Sequence, residues 1–271
     1  MPTSRFTQIL LLLLAFALPT AFTNAQAGTG PATEQARVLF IVASSKVHGT
    51  SKLPASVSFG EVVNAWDTFH AAGHAVDFVS PEGGAVPILG NYVGPGMEPR
   101  LQDTRIMDGL RNTATPDQID PSLYRAVYYV GGSNAMYGVA EDRRLQAIAM
   151  HVYERNGGVI SAVCHGTAGI VNLTLSNGQS LLAGKRITGY PEEHEDRDAD
   201  YFKQFPFLIR ETVQARGGIF NAVDSEAPYL QADQRVLTGQ NYASAAPLAQ
   251  AVVELLRSQA ATATASGTTR K

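Results

Sequence analysis

Short apolar runs alternate with amphipathic stretches along this chain, and that alternation constrains its fold more than any other feature. Arg37–Ala43 reads as an apolar strand ending in Ser44-Ser45. Phe59–Ala72 reads as a helix, with Phe59, Val62, Val63, Trp66 and Phe69 at helical spacing and Gly73 as its stop. Ala75–Val79 is the next strand, closed by Ser80-Pro81-Glu82-Gly83-Gly84, and Ala126–Val130 is a third, ending in Gly131-Gly132. Asp142–Asn156 is a helix with Leu145, Ile148, Ala149 and Val152 on one face, stopped by Gly157-Gly158, and Val159–Val163 is a strand. Ser180–Gly189 has the pattern of a hairpin turned at Ala183-Gly184-Lys185. Ala222–Asp224 and Arg235–Thr238 read as short strands and Ala245–Arg257 as a closing helix. The repeated β-then-α order predicts an α/β fold, a mostly parallel sheet sandwiched by helices. Residues 86–120, rich in Gly, Pro and Asn and without clear periodicity, form an insertion. Residues 259–271, rich in Ala, Thr and Ser, form a flexible tail. Ligands in such folds lie at the carboxyl ends of the strands, where Ser44, Gly131, Cys164 and Gly239 fall.

Cys164 is the only cysteine. It stands between the strand Val159–Val163 and the small-residue segment Gly166–Val171, which can open a helix. A sharp strand-to-helix turn projects its central side chain above the sheet edge, the geometry of a nucleophile elbow with sulfur in place of a serine oxygen. The helix N-terminus there is expected to lower the thiol's pKa. Lone cysteines are more often small buried hydrophobes. Here, however, His165 follows directly and Gly166 gives the backbone room, which favours a nucleophile. The six histidines are scattered, all but His165 and His194 reading as ordinary surface or core residues, with no Cys/His cluster at zinc spacing, so no metal is expected.

Residues 1–27 read as a cleaved secretory signal. Arg5 supplies the positive charge, Ile9–Phe22 the apolar run, and Ala25-Gln26-Ala27 a small-x-small cleavage site, with Thr23-Asn24-Ala25 as a second candidate. The run is short for a bilayer span, so export to a periplasm is expected, with no stable membrane contact after cleavage. The formal charge of −3 becomes −4 without Arg5. A mildly acidic chain with no Lys/Arg block argues against nucleic acid as a partner. Residues 36–258 are long enough for a single α/β domain.

Val163-Cys164-His165-Gly166, preceded by Gly157-Gly158-Val159 and by Gly131-Gly132 at the end of an earlier strand, resembles the ThiJ/PfpI superfamily of the class I glutamine amidotransferase-like (flavodoxin-like) fold. Ser80-Pro81-Glu82-Gly83-Gly84 is similar to that superfamily's S-P-x-G-G. Gly184-Lys185-Arg186-Ile187-Thr188-Gly189-Tyr190 is similar to its G-K-x-I-T-G-F, and Thr238-Gly239-Gln240-Asn241-Tyr242-Ala243-Ser244 to its T-G-x-N-P-x-S. The similarity covers nearly all of Arg37–Leu256. The long insertion before Ala126 places the chain nearest the branch of glyoxalase III enzymes and heat-shock chaperone/deglycases.

The resemblance implies a site. Cys164 would be the nucleophile, His165 its partner, and Glu61 the acid that meets the cysteine sulfur. On its helix Glu61 lies in line with Ala65, Thr68 and Ala72, so its carboxylate can reach inward past small side chains; a Glu there also suits a helix N-terminus with no catalytic role. Half-buried beside a thiolate, it would hold its proton and donate a hydrogen bond. The acid that orients His165 falls within Pro191–Asp196, where Glu195 aligns best by its distance from Thr188-Gly189, with Glu192 and Glu193 in reserve. Backbone N–H groups of His165 and Gly132, with Gly131 and Ser133 alongside, would bind the oxyanion and substrate. The chain departs from the branch at Gly131-Gly132-Ser133-Asn134, where relatives read G-G-H-G, and at Tyr242, which replaces a Pro.

The resemblance therefore implies an exported, cofactor-independent enzyme that uses Cys164 on small carbonyl substrates or glycated amines. It would be a glyoxalase III-like lyase or a deglycase-like hydrolase, compatible with a homodimer. Two alternatives share the fold: a stress chaperone or redox sensor without turnover, and a Cys-dependent amidase or protease.

Overall fold

The computed structural model describes residues 36–268, so the signal-like residues 1–27 lie outside the described residues. In chain order the elements are β1 (Arg37–Ile41), α1 (Phe59–Ala71), β2 (Ala75–Val79), α2 (Thr104–Arg111), β3 (Tyr124–Tyr129), α3 (Arg143–Met150) and β4 (Val159–Val163). There follow β5 (Arg186–Ile187), α4 (Ile209–Ala215), β6 (Ile219–Phe220), β7 (Leu230–Asp233), β8 (Val236–Gly239) and α5 (Ala245–Thr268). The main sheet has the order β2-β1-β3-β4-β8-β7, parallel throughout except for β7 against β8.

Alternate strand residues feed two cores, as the two-residue period of a strand requires. Val38, Phe40, Tyr128 and Val163 face α1, α2 and α5, where they meet Val62, Phe69, Ile106 and Val252. Leu39, Ile41, Tyr129 and Ile160 face α3 and α4, where they meet Leu145, Ile148 and Val213. Burial on both faces is why these strands read as continuous apolar runs rather than as an alternation. Each large side chain buried there contributes roughly 1.5–3 kcal/mol. Asp142 starts α3 by accepting the N–H groups of Arg144 and Leu145 on its carboxylate.

The structure differs from the sequence-based expectations at five places. The insertion holds a helix, α2, capped by Asp103 and buried through Ile106, Met107 and Leu110; flanking Gly and Pro residues mask its short apolar stripe. Ser180–Gly189 is not a hairpin, because β5 pairs in parallel with β6 as a separate two-stranded sheet. The strand expected at Ala222–Asp224 is absent, and β7 returns antiparallel onto β8 instead. The helix after Asp142 is α-helical only to Met150 and widens into a π turn over His151–Arg155. Finally, α5 runs on to Thr268, through residues read as a flexible tail, consistent with the high helix propensity of their alanines. Among the described residues no helix is long and apolar enough to cross a membrane.

Candidate active site

β4 ends at Val163, and Cys164 follows with φ +57°, in the left-handed region that costs a non-glycine residue about 1 kcal/mol or more. The turn is locked from outside. The Cys164 carbonyl accepts the Tyr190 N–H at 3.2 Å, and the Thr167 hydroxyl donates to the Thr188 carbonyl at 3.1 Å. This explains what the segment Gly184–Tyr190 does: it braces the elbow. Cys164–Ile170 continues as a 3-10 helix rather than an α-helix.

The structure brings Cys164, His165, Glu195 and Glu61 together. The Cys164 Sγ lies 3.5 Å from His165 Nδ1, and His165 Nε2 lies 2.6 Å from Glu195 Oε1. With Glu195 ionised, Nε2 carries the proton and donates, which leaves Nδ1 as the acceptor facing the thiol. Glu61, in the first turn of α1, accepts the Gly131 N–H on Oε2 at 3.0 Å and hydrogen-bonds the Cys164 thiol. The inward line past small residues is the one it takes, since Glu61 is only 1% exposed. Glu192 and Glu193 are spent elsewhere, both on the Arg210 guanidinium, while His194 faces Asp224 at 3.4 Å.

Burial pushes the Glu61 carboxyl up to about 8, against the hydrogen bonds from Cys164, the Gly131 N–H and Ser58. The expectation of a lowered thiol pKa is corrected here. Burial and then the charge of Glu61 push Cys164 up, outweighing the His165 N–H that points at the sulfur. A short 3-10 turn offers fewer aligned peptide dipoles than the α-helix that expectation assumed. For Glu195, burial opposes ionisation, but hydrogen bonds and charge from His165, together with the Tyr201 hydroxyl, hold it below the usual carboxylate range.

The expected oxyanion group divides. The Gly131 N–H is occupied by Glu61, and Gly131 is glycine because a Cβ there would stand 2.5 Å from Glu61 Oε2 and 2.8 Å from Cys164 Cβ. Gly132 opens the turn Ser133–Met136. Ser133 is buried; its Oγ accepts the Ser56 N–H at 3.4 Å and hydrogen-bonds Tyr92, which the insertion delivers to the site. Tyr242, the residue in place of a Pro, lays its ring against Gly60, the neighbour of Glu61.

Several site residues escape sequence reasoning. The Tyr190 ring lies 4.7 Å from that of His165, and Phe205 packs edge-on to His165 at 5.7 Å. His48 hydrogen-bonds the Tyr137 hydroxyl at 3.3 Å, and burial followed by the nearby His165 lowers its pKa. These residues sit on loops without periodicity, and the one available signal was the density of aromatic residues in Tyr201–Phe207. Among the described residues no three His, Cys, Asp or Glu side chains converge to hold a metal ion.

Residues 55–255 match the DJ-1/PfpI family. The chain is 32% identical over 151 residues to glyoxalase 3 of Candida albicans, covering 53% of this chain and 63% of that protein. It is 28% identical over 217 residues to the glutathione-independent glyoxalase hsp3102 of Schizosaccharomyces pombe, covering 74% of this chain and 88% of that one. The chain thus spans about three fifths of the length of the first of these relatives. Among solved structures, glyoxalase III from Candida albicans superposes with a TM-score of 0.72 at 24% identity, covering 81% of this chain and 96% of that one, a likeness of fold.

Proposed function

The chain belongs to the DJ-1/PfpI family, and from that premise we propose that it is a cofactor-independent enzyme converting small 2-oxoaldehydes to 2-hydroxy acids through Cys164. The observation that carries this reading is the convergence of His165 Nδ1 and the Glu61 carboxyl on one buried thiol, with Glu195 behind His165. The names of its glyoxalase relatives support the substrate class.

In this cycle His165 takes the thiol proton, and the sulfur adds to the aldehyde carbon. The aldehyde oxygen receives the proton, giving a hemithioacetal. The Gly132 N–H is assigned to that oxygen as its charge develops. Glu61 then removes the C1 hydrogen as a proton, leaving an enediolate, and returns it to C2, while the C1 hydroxyl proton passes to the C2 oxygen. C1 is thereby oxidised to a thioester while C2 is reduced to an alcohol, so no external electron carrier enters. A carboxyl titrating near 8 suits a group that must both take and give a proton close to neutral pH. Water, activated by His165, cleaves the thioester and restores the thiol.

The leader-like residues 1–27 support the reading that this reaction belongs to an exported protein. The Cys164–His165–Glu195 relay also favours a second reading, direct hydrolysis of amides, because thioester and amide cleavage use the same groups. Supplying methylglyoxal without glutathione, and a set of peptide anilides in parallel, separates the two. The first reading expects lactate and intact anilides. Cleaved anilides without lactate would overturn it.

A further inference from the structure

Glu195 sits just after the short turn Glu192–His194, in a charge-dense loop and not on a strand or long helix. An acid carried in this way needs an external hold to keep His165 aimed at the sulfur. One of its oxygens is occupied by His165 Nε2 at 2.6 Å; the other accepts the Tyr201 hydroxyl at 2.9 Å. We propose that Tyr201 is a positioning residue: its hydroxyl fixes the Glu195 carboxylate, and through it the orientation of His165 toward Cys164. The inference rests on reading Cys164, His165 and Glu195 as the reacting set.

Tyr201 is itself braced from two sides. Its ring meets His48 at 5.5 Å and Phe205 at 5.9 Å, and Phe205 also packs on His165. His48 comes from the loop after β1 and is anchored on the Tyr137 hydroxyl. The segment bearing Tyr201 and Phe205 is thus clamped between that loop and the elbow, which places the hydroxyl on the Glu195 oxygen that His165 leaves unused. The groups that face Glu195 electrostatically are His165 and Cys164 from the elbow, His48 from the loop after β1, Tyr92 from the insertion, and Tyr190 and Tyr201 from its own side. Of these, His165 and Tyr201 hydrogen-bond its carboxylate oxygens, and Tyr201 does so without taking part in the chemistry.

Tyr201→Phe deletes one hydroxyl from a half-buried ring and leaves the packing in place. Because a hydrogen bond to the ionised form favours ionisation, its loss makes Glu195 take up a proton at higher pH. The break that Glu195 sets in the acid limb of the pH–rate profile, below the step near 8 that belongs to the Glu61–Cys164 pair, should therefore move upward by about half to one pH unit, with kcat down about tenfold and KM within about twofold. The limb is read on turnover and, independently, on the rate of Cys164 alkylation by iodoacetamide. A third readout is the downfield proton resonance expected of the short, charge-assisted His165–Glu195 hydrogen bond, assigned by its loss in Glu195→Gln. In Tyr201→Phe it should move upfield. A shifted alkylation limb and resonance in a protein that never turns over 2-oxoaldehydes would uphold the role of Tyr201 and dismiss the proposed reaction. A Glu195 break that stays at its wild-type position in Tyr201→Phe would overturn the role of Tyr201, even with reduced stability.

Discussion

The Glu61 carboxyl and the Cys164 thiol share a hydrogen bond in a setting that keeps water from both, with the two residues 1% and 7% exposed. Two acids placed together release their protons in steps that belong to the pair. Burial of Glu61 sets the first step near pH 8, and the second is pushed well above the ordinary thiol range by burial of Cys164 and then by the charge the first leaves behind. The reactive form is then a single negative charge shared between carboxylate and sulfur.

This arrangement fixes the sign of one stability effect. Glu61 titrates near 8 when folded and near 4.5 when free, so between those values the folded chain holds a proton that the unfolded chain has lost. The stabilisation is complete below 4.5 and is lost as pH rises through about 8, on the order of 3–5 kcal/mol in all. Urea denaturation at pH 5 and pH 9 should show a fall of that size in the wild type. In Glu61→Gln most of it should be absent, and equal slopes in the two proteins would contradict the assignment.

Glu61→Gln also separates the two tasks of the residue. The amide keeps a donor for the sulfur but carries no charge and no transferable proton. Cys164 should therefore be alkylated at lower pH than in the wild type, while turnover falls by about a hundredfold or more. Alkylation that requires higher pH in the variant would mean that the carboxyl, not its charge, governs the thiol.

Gly131→Ala tests the close approach at the same place. Its Cβ would stand within 2.8 Å of both partners of the pair, so Glu61 or the elbow must move. We expect a loss of about 1–3 kcal/mol in stability and a much larger fractional loss of activity. Denaturation and steady-state rates on one preparation measure both.

The sheet was legible because strands buried on two faces must be apolar along most of their length, as Leu39–Ile41 and, apart from Ser161, Val159–Val163 are. The elbow was legible because a lone Cys followed by His165 and Gly166 has few structural uses. The small sheet was not, since Arg186–Ile187 finds its partner far along the chain at Ile219–Phe220 and each strand is two residues long. Glu195 could be ranked above Glu192 and Glu193 only by spacing. What distinguishes them in space is Arg210, which engages the other two. The thiol pKa was misjudged in sign because a sequence suggests a helix end but not the depth of burial beneath it. Tyr92, His48 and Tyr201 reach the site from loops whose course is set by tertiary packing.

With no second cysteine to form a disulfide within the chain, mild peroxide should stop at oxygen adducts on Cys164. Intact mass should show added oxygen in the wild type that Cys164→Ala lacks. Equal uptake in both would point to the methionines.

The central claim is that Cys164 is the nucleophile of a glutathione-independent reaction. Its most direct test is lactate formation from methylglyoxal by the purified wild type and by Cys164→Ser, without added thiol. The account predicts steady lactate production by the wild type and a rate at least about a thousandfold lower in Cys164→Ser, because serine lacks both the nucleophilicity and the acidity of the thiol. Comparable lactate formation by the two proteins would contradict it.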